Sequence, residues 1–333
     1  MRVAIIGGGF CGLHCAKKLE SKHTVTLFDT KDYFEYTPSI HKLLTNADYA
    51  QKIQRPWAEL LKKTTVITEP VQSLTNSRAT SQNHNVVFDY AIVCTGISYP
   101  IFLKDTTDVY TVTNGHQIQQ LAPVLAQAKK VLVIGGGLIG VEVAAEIAES
   151  TQAKLTIVHP RDKLMERNPS KAGNYAKDFL EKHHARIIFG EKVVDREKNT
   201  FITDKGTKIE SDLTFWCAGI KADVPFFSGD KDKKGYIVVN EFLQSSLPNV
   251  FVGGDIAGVQ EEKTAQNAHL HADVIAHNLL ALAEQKQMKS YTSKPRIMAI
   301  SLGDWRGICA KGGRVLNGIL PALLKKFVEF KEK

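Results

Sequence analysis

At 333 residues, with 43% apolar and 23% charged side chains, the chain is long for one hydrophobic core and suits two domains. It holds no unbroken run of about eighteen apolar residues, which excludes a sequence-predicted spanning helix. Its five scattered cysteines, Cys11, Cys15, Cys94, Cys217 and Cys309, exclude a disulfide scaffold and fit a reduced, cytoplasmic compartment. A net charge of +8 favours acidic partners, whether nucleotide phosphates, an anionic membrane face or nucleic acid. In chain order, residues 3–6 form an apolar strand with no signal-like region before it. Gly7-Gly8-Gly9-Phe10-Cys11-Gly12 turns, 13–19 carries helical spacing, and 25–28 is a second strand that ends at Asp29. Residues 88–96 read as a buried strand that stops at Gly96. The opening pattern then returns as a strand at 131–134, Gly135-Gly136-Gly137-Leu138-Ile139-Gly140, a helix to 148 and a strand at 155–158. Residues 215–219 are the counterpart that stops at Gly219. Strands at 236–239 and 250–252, a long helix at 264–283, a strand at 296–302 and an amphipathic helix at 315–330 complete the chain.

This internal duplication predicts two parallel sheets with right-handed crossovers. The fold expected is α/β, with two Rossmann-like domains, the second inserted in the first, and a short C-terminal α+β segment. In a G-x-G-x-x-G turn, glycine removes the Cβ where backbone must approach a pyrophosphate, and the following helix offers that anion its unpaired N–H groups. Both copies follow an apolar strand and open a helix, the context that confirms the motif. The candidate phosphate-contacting residues are therefore Gly7, Gly9, Phe10, Cys11 and Gly12 in the first copy, and Gly135, Gly137, Leu138, Ile139 and Gly140 in the second. Asp29, at a strand end, is placed to accept ribose hydroxyls. The second copy has His159-Pro160-Arg161 there. Without the acid, repulsion of a 2′-phosphate is lost and Arg161 can pair with one, so the pattern leans to NADPH, or dual use, over strict NADH.

The paired fingerprints, Cys94-Thr95-Gly96, Cys217-Ala218-Gly219 and Val250-Phe251-Val252-Gly253-Gly254-Asp255 resemble the two-dinucleotide-binding-domain flavoproteins over nearly the whole chain. The resemblance implies FAD in residues 1–105 and 221–290, with Thr95, Gly96, Gly254 and Asp255 around it and Asp255 on the ribityl chain. It implies NAD(P)H in 106–220, with His159, Arg161, Ala218 and Gly219 contributing, and an acceptor or contact segment in 291–333. Disulfide reductases of this family carry a cysteine pair downstream of the first helix, which this sequence lacks. Electrons would then leave the flavin directly for a diffusible acceptor. Tyr33-Phe34-Glu35-Tyr36-Thr37-Pro38 and Thr264-Ala265-Gln266-Asn267-Ala268-His269 resemble type II NADH:quinone oxidoreductases, although Leu270 stands where their motif has glutamine. Leu270-His271-Ala272 and Ser301-Leu302-Gly303-Asp304 resemble apoptosis-inducing-factor-related flavoproteins of the ferroptosis-suppressor kind. Both branches imply NAD(P)H-dependent quinone reduction, with Ala265 beside the cofactor and Gln266 or His269 hydrogen-bonding an acceptor oxygen.

Glu142, just after the second fingerprint, either approaches the nicotinamide, as the resemblance implies, or is stabilised by the helix dipole. Glu146 reads as structural. Cys11 and Cys15 share a helix face and read as packing. The histidines lack metal-ligand spacing, and no metal is expected. In the tail, Ile319, Leu320, Leu323, Leu324, Phe327 and Val328 share a face, with Lys325, Lys326 and Glu329 elsewhere. That face suits an anionic membrane interface or docking on protein, including a second subunit. Two other readings stay open: a redox-sensing flavoprotein that binds nucleic acid, although no aromatic-interleaved basic patch supports it, and a reductase of a ferredoxin-like partner.

Overall fold

A computed structural model describes residues 1–331. The chain divides into two compact units, one of residues 1–35, 54–98 and 220–294, the other of 36–53, 99–219 and 295–333. Compactness thus groups 36–53 and 295–333 with the second duplicated fold, a different division from the one drawn by cofactor.

In the first unit a five-stranded parallel sheet runs in the order Val250–Val252, Tyr90–Val93, Arg2–Ile6, Thr24–Asp29, Thr65–Thr68. Ile5 lies between Leu27 and Ile92, and Ile92 between Ile5 and Phe251. These strands are apolar at successive positions because both faces are covered. On one face Ala4, Ile6, Phe28, Val93 and Val252 join a core with Leu74, Ala79, Phe88, Phe227 and Ile237. Helices Phe10–Leu19 and Ala265–Ala283 pack together, Cys15 Sγ reaching Ala272 O at 3.8 Å. Cys11 and Cys15 are both buried.

The second unit repeats the plan with Val109–Tyr110, Leu213–Trp216, Lys130–Ile134, Lys154–His159 and Arg186–Phe189. One face packs on Phe201, Ile209 and Val193 of a small antiparallel sheet. Helix Leu138–Ser150 follows the glycine turn. Three antiparallel strands, Met298–Leu302, Arg306–Lys311 and Arg314–Gly318, then lead into helix Ile319–Lys331.

Two sequence expectations need correction. Residues 236–239 form no strand, and only Ile237 makes bridges, to Lys231 and Ala257. The last helix starts four residues late, because 314–318 pairs antiparallel with 306–311 through a turn at Gly312-Gly313, where both glycines have positive φ.

Candidate functional site

Two glycine cradles stand in matching places, one in each unit. Gly7 has φ +97° and Gly135 φ +109°, conformations that side chains rarely adopt. Even with strain tolerated, a Cβ on Gly7 would come 2.5 Å from Cys94 O, and one on Gly135 would come 2.7 Å from Cys217 O. The strand ends at Cys94-Thr95-Gly96 and Cys217-Ala218-Gly219 therefore lie directly against the fingerprints. Gly12 and Gly140 let the helix pack closely, since a Cβ there would overlap the carbonyls of Gly7 and Gly135.

In front of the helices the geometry is open. Gly9 and Gly137 are the N-caps of Phe10–Leu19 and Leu138–Ser150, and neither cap is closed by a side chain. No acidic residue occupies either first turn, and a Cβ on Gly9 or Gly137 would meet nothing within 4 Å. Each helix N-terminus therefore presents unpaired N–H groups that suit an anion.

The strand ends beside the cradles differ. Asp29 accepts Gly8 N–H at 2.6 Å through Oδ2 and Lys31 N–H at 2.8 Å through Oδ1. At the equivalent place, His159 Nδ1 accepts Gly136 N–H at 3.0 Å. Burial pushes the His159 pKa down, although Glu166 pulls the other way. Arg161 is exposed.

The Gly253-Gly254-Asp255 turn is held from behind in the first unit. Gly254 N–H donates to His271 Nδ1 at 3.1 Å, and His271 Nε2 lies 2.9 Å from Glu261 Oε1. Glu261 sits at a pKa of about 2 despite burial, through His271, Ser293 and Tyr291. Burial raises the Asp255 carboxyl pKa, partly offset by Lys263 and His271. A sheltered carboxylate at a strand end suits neutral hydroxyl ligands. Ala265 starts the next helix, which Thr264 caps by accepting from Asn267 N–H. Gln266 is exposed. His269 stacks on His14 with ring centroids 5.0 Å apart, and its edge meets Phe10 at 5.4 Å.

Glu142 is the side chain whose setting changes most from the sequence reading. It is about nine-tenths buried, and its Oε1 accepts Lys325 Nζ and, at 3.0 Å, Ser301 N–H. His41 Nε2 reaches Ser301 Oγ at 3.0 Å, and burial, with Lys325 and Lys42 nearby, drives the His41 pKa well down. One turn along, Glu146 meets Lys42 Nζ at 2.6 Å and accepts from Thr45. Burial works against the Lys42 ammonium, but Glu146 and Asp304 more than compensate and hold its pKa above the usual lysine value. Sequence reading missed His41, Lys42, Ser301 and Lys325. The available signal was the spacing of Glu142 and Glu146, one turn apart on an otherwise apolar helix, because buried carboxylates require partners.

Known proteins resemble the chain over most of its length. The chain is 29% identical to apoptosis-inducing factor homolog B of Dictyostelium discoideum, covering 92% of this chain and 88% of that protein. It is 28% identical to ferroptosis suppressor protein 1 of Xenopus tropicalis, covering 98% and 92%. Identity to the type II NADH:quinone oxidoreductase of Haemophilus influenzae is 25%, over 54% of this chain and 46% of that protein. The structure of NDH2 from Plasmodium falciparum in complex with NADH superposes with a TM-score of 0.88 at 14% identity, covering 99% and 94% of the two chains, which establishes the shared fold. The profile of one oxidoreductase family matches residues 1–272. The chain belongs to the pyridine nucleotide-disulphide oxidoreductase family.

Proposed function

We propose that this oxidoreductase takes hydride from NAD(P)H and passes two electrons to a quinone-like acceptor by way of FAD, with no redox disulfide. The observation that carries the reading is the pair of open cradles, one flanked by Asp29 and the other by His159 and Arg161. No second cysteine pair accompanies them: Cys11 and Cys15 lie on the first fingerprint helix. Likeness to a type II NADH:quinone oxidoreductase supports the choice of acceptor.

FAD, when bound, supplies the two-electron relay between hydride donor and acceptor. Gly7, Gly9, Phe10, Cys11 and Gly12 would hold its pyrophosphate, Asp29 its adenosine ribose, and Gly254 and Asp255 its ribityl chain, with Thr95 and Gly96 also beside the FAD. Gly135, Gly137, Leu138, Ile139 and Gly140 would hold the nicotinamide dinucleotide with Ala218 and Gly219, and Arg161 admits NADPH beside NADH. On this reading 1–105 with 221–290 is the FAD-binding part, 106–220 the NAD(P)-binding part and 291–333 the acceptor and contact segment. Glu142, fixed by Lys325 and Ser301, would orient the nicotinamide carboxamide. Ala265 would lie beside the cofactor, and Gln266 or His269 at the acceptor. Reduction of a quinone by NAD(P)H takes up one proton from solvent.

The C-terminal helix adds a location. We place its exposed apolar face on an anionic membrane surface, where a hydrophobic acceptor resides, with a second copy of the chain as the competing occupant. For the reaction itself, turnover of the FAD-loaded protein with NADH and NADPH is measured against short-chain quinones, ferricyanide and oxygen. Quinone turnover well above oxygen turnover is expected. Rapid loss of NAD(P)H absorbance in a single turnover, with no quinone reduced afterwards, overturns the acceptor assignment.

A further inference from the structure

The loop after the strand Lys154–His159 holds a carboxylate where the strand end lacks one. In the first unit, Asp29 accepts two backbone N–H groups, and an ionised carboxylate retains lone pairs for ribose hydroxyls. His159 cannot do the same. Because Gly136 N–H donates to Nδ1, the ring proton sits on Nε2, and the imidazole has no acceptor left. Nε2 is itself buried without a well-aligned hydrogen-bond partner, and the group it faces is Glu166 Oε2, 3.3 Å away.

Glu166 is held there deliberately by its neighbours. Met165, immediately before it, has φ +50°, a backbone region that residues other than glycine seldom enter. Met165 N–H donates to Gly136 O at 2.8 Å, and Asn168 N–H donates to Met165 O at 2.7 Å. The fingerprint glycine thus anchors His159 through its N–H and the Glu166 loop through its carbonyl. Leu164 and Met165 are buried, whereas the Glu166 side chain is 34% exposed, so its carboxylate meets the buried ring on one side and solvent on the other. Such a constrained residue beside a ligand cradle is where strained backbone tends to have a use.

We infer that Glu166 reads the adenosine 2′ position: held against His159, its carboxylate accepts the ribose hydroxyl of NADH and repels the 2′-phosphate of NADPH, while Arg161 on the same loop attracts that phosphate. The choice of hydride donor is then the balance of these two side chains. This rests on the reading of the second cradle as the nicotinamide dinucleotide site.

The test uses the FAD-loaded protein and two ligands that carry no hydride, ADP-ribose and 2′-phospho-ADP-ribose, titrated by calorimetry. The quantity read is the ratio of their Kd values within each variant, which a general loss of fold does not move. Glu166→Gln is expected to shift the ratio about tenfold towards the phosphorylated ligand, the worth of one charge interaction at a partly exposed site. Arg161→Ala is expected to shift it the other way, and Asp162→Asn, also on this loop, to leave it unchanged. Both ligands binding with an unaltered ratio in Glu166→Gln overturns the assignment of Glu166 alone, as does a shift in Asp162→Asn in its place. Failure of both ligands to bind the unsubstituted protein overturns the reading of the cradle, and this inference with it.

Discussion

The two cradles differ at the strand end beside them, where the first has Asp29 and the second His159, and the two side chains offer a ligand different hydrogen-bonding capacity. Asp29 makes two charge-assisted hydrogen bonds to backbone N–H groups, at 2.6 and 2.8 Å, and bonds of this kind are stronger than neutral ones. Its removal leaves Gly8 N–H without its acceptor and, on the function proposed above, takes away the ribose ligand as well. Asp29→Ala is expected to weaken FAD retention about tenfold to a hundredfold, the equivalent of one to two charged hydrogen bonds. Asp29→Asn, which keeps one acceptor, should fall between. Flavin fluorescence released on dilution measures both, and an unchanged FAD affinity in the alanine variant would reassign the first cradle. His159 shows the opposite economy: one neutral acceptor satisfies Gly136 N–H and nothing remains.

At the scale of elements, the C-terminal helix is inverted relative to ordinary packing. Lys325 and Glu329 are buried, while Ile319, Leu320, Leu323, Leu324, Phe327, Val328 and Phe330 are each 44–73% exposed. Its polar face is fastened to its own unit by Lys325 on Glu142 and by Glu329, which accepts from Ser39 at 2.6 Å and Tyr49 at 2.9 Å. Buried ion pairs of this kind add little over apolar packing, but breaking one side strands a charge. Lys325→Met should therefore lower unfolding free energy by about 3–5 kcal/mol, and Lys325→Met with Glu142→Gln should recover most of the loss. Urea titrations of the two variants decide it; equal destabilisation in both would remove the ion pair from the account. These contacts also mark the limit of what the sequence could say. Gly7, Gly135, Asp29 and the flanking strands are legible because each motif is contiguous and its chemistry local. Lys325 meets Glu142 across 183 positions, and His41 arrives from a 3-10 segment, Thr37–Leu44, that no periodicity announced. The apolar stripe of the tail was visible, but amphipathicity alone did not say which face points inward. Residues 314–318 shared the apolar character of the helix that follows, and only pairing with 306–311 made them a strand.

For the whole molecule, charge and apolar surface converge on one segment. Residues 295–333 hold eight lysines and arginines against three acidic residues in a chain of net charge +8. Trp305, 62% exposed with Lys326 4.7 Å above its ring, supplies the amphipathic aromatic that membrane interfaces favour. Among the described residues no helix is long and apolar enough to cross a membrane, so the helix would lie in the interface, with acyl boundary beneath its apolar face. A second copy would have to bring a like-charged segment against the same face, which costs free energy at low salt. Co-sedimentation with vesicles of phosphatidylcholine alone or with a third phosphatidylserine separates the two occupants. Binding to the anionic vesicles is expected, weakened by salt because each basic residue near the surface contributes about 1 kcal/mol and the field decays within a Debye length. Leu323→Glu with Phe327→Glu should abolish binding while leaving urea stability nearly unchanged, since both side chains are about half exposed in the folded chain. A mass of two chains by light scattering without lipid, lost in the same double variant, together with no binding to either vesicle, would give the face to a second copy instead.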